Sequence, residues 1–193
     1  MIEEHAPHWL PLYCCQNEPA ARADVGRYAI LQVHGGVYAD MDTECVRPVK
    51  LFLGVDGASL RVQIYSLQWR KLLYRRVPYE LVANSVIAST AGHPIWSAVH
   101  GEIAHRNDHR RNVVWRTGPE MFWPLVKEFA VQNPGEVDFV GLRHIVTSFW
   151  LPKWFMRWYG LMQHEVCILD FNDSGRAAAR RILMNWLPFG DRV

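Results

Sequence analysis

One stretch, from Asn17 to Asp42, does more than any other to limit what this chain can fold into. Pro19–His34 reads as a helix, with Pro19 suited to its first turn, Asn17 as its candidate N-cap and Gly35 placed to end it. Val25, Tyr28, Ala29 and Gln32 fall near one face of that helix, while Asp24 and Arg27, three apart, share another. Gly35-Gly36 then turns the chain into the β-prone Val37-Tyr38-Ala39, which ends at Asp40-Met41-Asp42. A helix, a glycine turn, a short strand and two carboxylates in that order describe a helix packed on a sheet, with polar chemistry at the strand end.

The rest of the chain continues the alternation. Residues 43–46, 60–65, 85–89, 137–140 and 166–171 are strand candidates by β-branched content or alternation. Helical spacing or an opening proline predicts helices over 94–105, 119–131 and 174–187, the last basic and amphipathic. Strands alternating with helices indicate an α/β layer fold with a largely parallel sheet. No repeat or linker interrupts it, so residues 1–193 read as a single domain.

Composition narrows the function classes. Half of the 193 residues are apolar, enough for a core that needs no disulfide or metal staple. A net charge of +2 excludes a general phosphate-backbone binder, so no nucleic-acid partner is expected. The start, Met-Ile-Glu-Glu-His, is acidic where a secretory signal is basic, and no apolar run reaches the length of a membrane span. Cys14, Cys15, Cys45 and Cys167 show neither a CxxC pair nor zinc-ligand spacing and read as reduced thiols packed as small apolar groups.

Chemistry concentrates at Asp40-Met41-Asp42. Alternate residues of a strand face opposite ways, but a turn at its end lets both carboxylates converge. Two hard oxygen ligands so placed suit Mg²⁺ or Mn²⁺, which keeps positions open for phosphate oxygens and neutralises a diphosphate leaving group. The competing reading is two solvated carboxylates in a turn.

The flanking residues bear on that choice. Ala23-Asp24-x-x-Arg27-Tyr28, Leu31, then Gly35-Gly36-x-Tyr38-x-Asp40-x-Asp42 resembles the sugar-transferase signature shared by glycosyltransferase family 32 and the large clostridial glucosylating toxins. Ile2-x-x-His5-x-Pro7-x-Trp9-Leu10, the run Asn84-Ser85-x-Ile87-Ala88-Ser89-x-x-Gly92-His93-Pro94-x-Trp96 and Thr117-Gly118-Pro119 are similar to the inositol-phosphoceramide mannosyltransferase branch. The resemblance covers roughly residues 2–119. It implies a GT-A-like, Rossmann-type nucleotide-sugar-binding fold and sugar transfer with retention of configuration. It also implies that the chain lacks the usual first strand-helix unit.

Carried over residue by residue, Asp24 and Arg27 bond the donor-sugar hydroxyls and help hold the diphosphate. Tyr38 and Asn84 sit at the donor, Asp40 contacts ribose and metal, and Asp42 ligates the metal. Gly160-Leu161-Met162-Gln163-His164 keeps the branch's Gly-to-His spacing without its Ser and Trp, which makes His164 a further metal candidate. The resemblance further implies Mn²⁺ or Mg²⁺, a GDP- or UDP-hexose donor with mannose as the branch sugar, and a glycan or sphingolipid-headgroup acceptor. Golgi or another endomembrane is the compartment it implies if an anchor precedes Met1, and the cytoplasm otherwise.

Structural readings stand beside these. Asp24 and Arg27 also read as a surface ion pair, Tyr38 as packing, Thr117 as the cap of the helix it precedes, and His93 as a neighbour of a helix start. Phe149, Trp150, Trp154, Phe155, Trp158 and Tyr159, interleaved with Lys153 and Arg157, suit core packing, an acceptor platform or peripheral membrane contact. The two function classes are therefore a metal-dependent glycosyltransferase and a non-catalytic or truncated binding module of the same fold.

Overall fold

The computed structural model describes residues 1–47, 62–67, 81–106, 108–140, 145–147, 154–155, 157–158 and 168–170. The chain divides into two compact units, Met1–Ala39 with Leu53–Gly141 and Asp40–Phe52 with Leu142–Val193.

In the first unit, α1 (Ile2–His5), a 3-10 turn (Pro7–Trp9) and α2 (Leu10–Cys14) lead into α3 (Pro19–His34). Proline at the first helical position starts α3, and Glu18, not Asn17, is the extended residue before it. Its far end requires glycine twice over. Gly35 sits at φ 62°, ψ −150°, and a Cβ there would lie 2.5 Å from Ala91 N and 2.8 Å from Ser89 O. The helix end is thereby seated on the turn after β4, where Gly92 N donates to Gln32 O at 2.6 Å.

The sheet of this unit has the order β1 (Gly36–Ala39), β4 (Leu81–Ser89), β3 (Val62–Leu67), β5 (Val137–Val140). β4 is antiparallel to both of its neighbours, and β3 with β5 is the parallel pair. The largely parallel sheet expected from the strand-helix alternation is thus corrected. A strand's side-chain alternation has a period of two whichever way its neighbour runs, so pattern alone carries no direction. α6 (Pro119–Gln132) packs on β4, and α4 (Ile95–His105) and the single turn α5 (Val113–Arg116) pack on α6. Val86, Ile87, Ala88 and Ser89 are all buried, as expected of a strand covered on both faces.

The core is aromatic at its centre. Tyr28 of α3 stacks on Phe122 of α6 (centroids 5.3 Å, 16°) and on Trp96 of α4 (5.9 Å, 23°), all three fully buried. Trp96 satisfies its indole N–H on Ser89 Oγ at 2.9 Å. In the second unit, β2 (Thr43–Cys45) lies antiparallel to β7 (Ile168–Asp170), which is parallel to β6 (Ile145–Thr147). The helix read over 174–187 lies outside the described residues, as does Cys167. Cys14 and Cys45 are free and exposed, a correction to the packed thiols expected of them; Cys15 is half-buried. Among the described residues no helix is long and apolar enough to cross a membrane.

Candidate functional site

Asp24 and Arg27 are one turn apart on α3, and both are buried (6% and 7% exposed), so they are not the surface pair their spacing also allowed. Arg27 Nη2 lies 3.1 Å from Asp24 Oδ1, and Arg27 Nη1 donates to the Asn84 carbonyl at 2.6 Å. Asn84, buried on β4, donates through Nδ2 to Asp24 Oδ1 (2.9 Å) and to the Tyr28 hydroxyl (3.0 Å). Thr117, at the α5–α6 junction, donates through Oγ1 to Asp24 Oδ2 (2.8 Å), and its carbonyl accepts from Tyr28 Oη (2.9 Å). A buried carboxylate is tolerable only when paired and hydrogen-bonded, and here three donors converge on it.

Arg27 joins this set to a more open region. Its guanidinium lies 4.6 Å from the centroid of the Tyr38 ring, and both residues line a depression of about 560 Å³. Tyr13, Arg22, Gly26 and Ile30 line it too, giving a concave surface with aromatic, aliphatic and cationic parts. Tyr38 is half-buried and packs against the core as well, as its structural reading held.

In the second unit the chain turns at Asp40. The Asp40 carbonyl accepts from Thr43 N at 3.0 Å and from Thr43 Oγ1 at 2.6 Å. Asp40 and Asp42 are half-buried, and Met41 between them is fully exposed. Two carboxylates in one hydrogen-bonded turn fit a Mg²⁺- or Mn²⁺-type cation, which takes one or two carboxylates and fills its shell with phosphate and water oxygens. Among the described residues no group of three His, Cys, Asp or Glu gathers for a metal. His164 lies outside the described residues. β2 carries Glu44, which accepts from Arg157 Nε at 2.7 Å. Beside Arg157, Trp154 (71% exposed) and Trp158 (53%) flank Phe155.

Thr117 corrects its sequence reading. Gly118, not Thr117, precedes α6 as its cap, and the Thr117 hydroxyl serves Asp24 instead. His93 is buried beside the start of α4, where its Nδ1 accepts from Ile95 N at 3.3 Å. Burial holds its pKa below the ordinary value against the opposing pull of Glu136. Sequence reasoning missed Tyr28 and Arg116 as polar participants. Arg116 is buried, donates to Gln16 Oε1 (3.1 Å) and His109 Nδ1 (2.7 Å), and pairs with Glu18 ahead of α3. A signal existed for Arg116: an arginine directly before Thr117-Gly118-Pro119, next to a residue already singled out.

Comparison with known proteins bears on the front of the chain first. Residues 1–60 match the model of the glycosyltransferase sugar-binding region containing the DXD motif. This chain carries that region, with Asp40-Met41-Asp42 as its DXD. An uncharacterized glycosyltransferase of Acanthamoeba polyphaga mimivirus is 30% identical over 128 residues, 66% of this chain and 47% of that protein. A mannosyl phosphorylinositol ceramide synthase of Saccharomyces cerevisiae is 25% identical over 143 residues, 70% of this chain and 34% of that protein. The chain thus spans about half or less of the length of these relatives. Among solved structures, a glycosyltransferase involved in the glycosylation of the major capsid of PBCV-1 is similar at a TM-score of 0.52 and 12% identity. That match covers 95% of this chain and 90% of the other. At that identity the likeness concerns the fold, and the fold is GT-A-like, as the sequence resemblance implied.

Proposed function

We propose that the chain is the catalytic part of a retaining, metal-dependent hexosyltransferase that takes its sugar from a nucleotide-sugar. The reading rests above all on one observation: the buried Asp24–Arg27–Asn84–Thr117 set lies on and around α3, the helix that precedes β1 and the DXD triplet in sequence. Arg27 presents a cationic fork suited to diphosphate or sugar oxygens, and the Asp24 carboxylate suits paired sugar hydroxyls. Asn84 adds an amide at the donor, and Tyr38 packs against Arg27 at the edge of the depression. Asp40 and Asp42 would hold the cation, which when bound would supply positive charge to offset that of a diphosphate leaving group. No residue among those named is placed as a covalent nucleophile, so the acceptor hydroxyl attacks the anomeric carbon on the face the diphosphate leaves. The departing phosphate oxygen takes the proton.

Mannose from GDP-mannose and a sphingolipid headgroup are the proposed sugar and acceptor, in keeping with the yeast relative's name. The exposed Trp154 and Trp158 support contact with the surface that presents such a headgroup, which belongs to an endomembrane. The test is turnover of UDP- and GDP-hexoses with Mn²⁺ or Mg²⁺ by wild type and by Asp42→Asn. The variant is expected to keep the wild-type melting temperature and lose metal-dependent turnover. Undiminished turnover refutes the reading, and silence of the wild type with every donor favours a non-catalytic binding module.

A further inference from the structure

Asp24 accepts on both carboxylate oxygens, and this fixes every proton around it. Asn84 must turn its amide nitrogen, not its oxygen, toward Asp24 Oδ1, at 2.9 Å. Its second N–H then points at the Tyr28 phenol, 3.0 Å away, which can only accept there. The Tyr28 proton therefore goes to the Thr117 carbonyl (2.9 Å), and the Thr117 hydroxyl returns a proton to Asp24 Oδ2 (2.8 Å). The result is a closed ring of four residues drawn from α3, β4 and the α5–α6 junction, in which Asn84 donates to both neighbours and Asp24 accepts from both.

None of its four members lines the depression, which Arg27 reaches from beside Asp24; Tyr28 and Thr117 are wholly buried, and Asp24 and Asn84 keep a small exposed fraction. The near-parallel rings of Phe122 and Trp96 hold the Tyr28 phenol in direction. We propose that Thr117 and Tyr28 are positioning residues for the donor sugar: they set the angle of the Asp24 carboxylate and the Asn84 amide without touching the donor. The inference rests on the glycosyltransferase reading and adds to it the pair of residues that tunes its site. A misplacement of well under a bond length in such a group is felt in the chemical step more than in binding.

The test compares wild type with Thr117→Val, Thr117→Ser and Tyr28→Phe. It uses the hexose nucleotide that wild type turns over with Mn²⁺, with melts and the NMR signals of the Asn84 side-chain amide recorded on the same samples. Thr117→Val keeps shape and loses the hydroxyl, and it is expected to lower kcat about 10- to 100-fold with the donor KM within about threefold. Thr117→Ser restores the hydroxyl and most of kcat, which a purely volumetric role would not produce. Should the valine variant fail to fold, Tyr28→Phe, which keeps the ring stack, carries the same comparison. A folded Thr117→Val with wild-type kcat, or a serine variant no better than the valine one, overturns the proposal. Wild type silent with every donor brings down the glycosyltransferase reading instead. The ring is then judged on the Asn84 amide: its two protons shifting in Tyr28→Phe and Thr117→Val support it, and unmoved signals overturn it.

Discussion

Replacing Asp24 by alanine removes the acceptor on which Asn84, Thr117 and Arg27 converge, all of them buried. Deleting one partner of a buried ion pair costs about 3–5 kcal/mol, because the surviving charge stays behind without compensation. Two alternatives soften the loss here. Arg27 keeps the Asn84 carbonyl at 2.6 Å, and the Thr117 hydroxyl can turn to Val113 O at 3.4 Å. The expectation is therefore the lower end, about 3 kcal/mol. Asp24→Asn is the informative partner. Its amide oxygen still accepts from Asn84 and Arg27, and its N–H₂ can donate to a Thr117 hydroxyl whose proton has swung to Val113. What goes is the charge: a hydrogen bond to an ionised group is worth about 1.5–3 kcal/mol against about 0.5–1.5 for a neutral one, so the asparagine variant is expected to lose about 1–1.5 kcal/mol.

Urea unfolding followed by tryptophan fluorescence reads this directly, since Trp9 and Trp96 are buried in the same unit. With a slope of about 2 kcal/mol per molar, 3 kcal/mol moves the midpoint by about 1.5 M. An alanine variant within about 0.5 kcal/mol of wild type at unchanged slope, or an asparagine variant as damaged as the alanine one, refutes the buried-acceptor account.

Two further outcomes follow from the start and end of α3. Gly35→Ala puts a Cβ 2.5 Å from the Ala91 backbone nitrogen at a φ of 62°. It is expected to cost about 1–3 kcal/mol from the backbone conformation alone, with the clash in addition, and a melt at the wild-type temperature contradicts it. At the start, the Arg116 hydrogen bond holds the Glu18 pKa below its ordinary 4.5. A depressed carboxylate contributes stability that is present above the unfolded value and lost as pH falls through the folded one. Glu18→Gln should therefore be less stable than wild type at neutral pH and indistinguishable from it in strong acid. A gap that persists unchanged to low pH counts against the pairing.

Much of this was legible in the residues. Proline and glycine bracket α3 as local chemistry demands, and Val137–Val140 appears where its apolar run lies. The Asp24–Arg27 ion pair and the DXD were legible because their spacing is local. What escaped was everything that depends on residues far apart in sequence. Thr117 reads locally as a cap, because nothing in its neighbours reveals a carboxylate 93 positions earlier. Strand direction escaped for the same reason. The helical turns before Pro19 also went unread, being too short to show a period of 3.6. Val113–Arg116 is equally short, and it is capped by Asn112, whose side chain accepts from Trp115 N.

The ring around Asp24 also bears on how portable the front of the chain is. Its acid lies within residues 1–60, yet Asn84 and Thr117, two of the donors that make that acid tolerable in the interior, lie 60 and 93 positions further on. A transplant that moves the DXD region alone into another scaffold would carry the charges and leave their insulation behind. The smallest unit that can be exchanged between proteins of this fold therefore runs at least to Thr117, and chimeras joined before it should fail at α3.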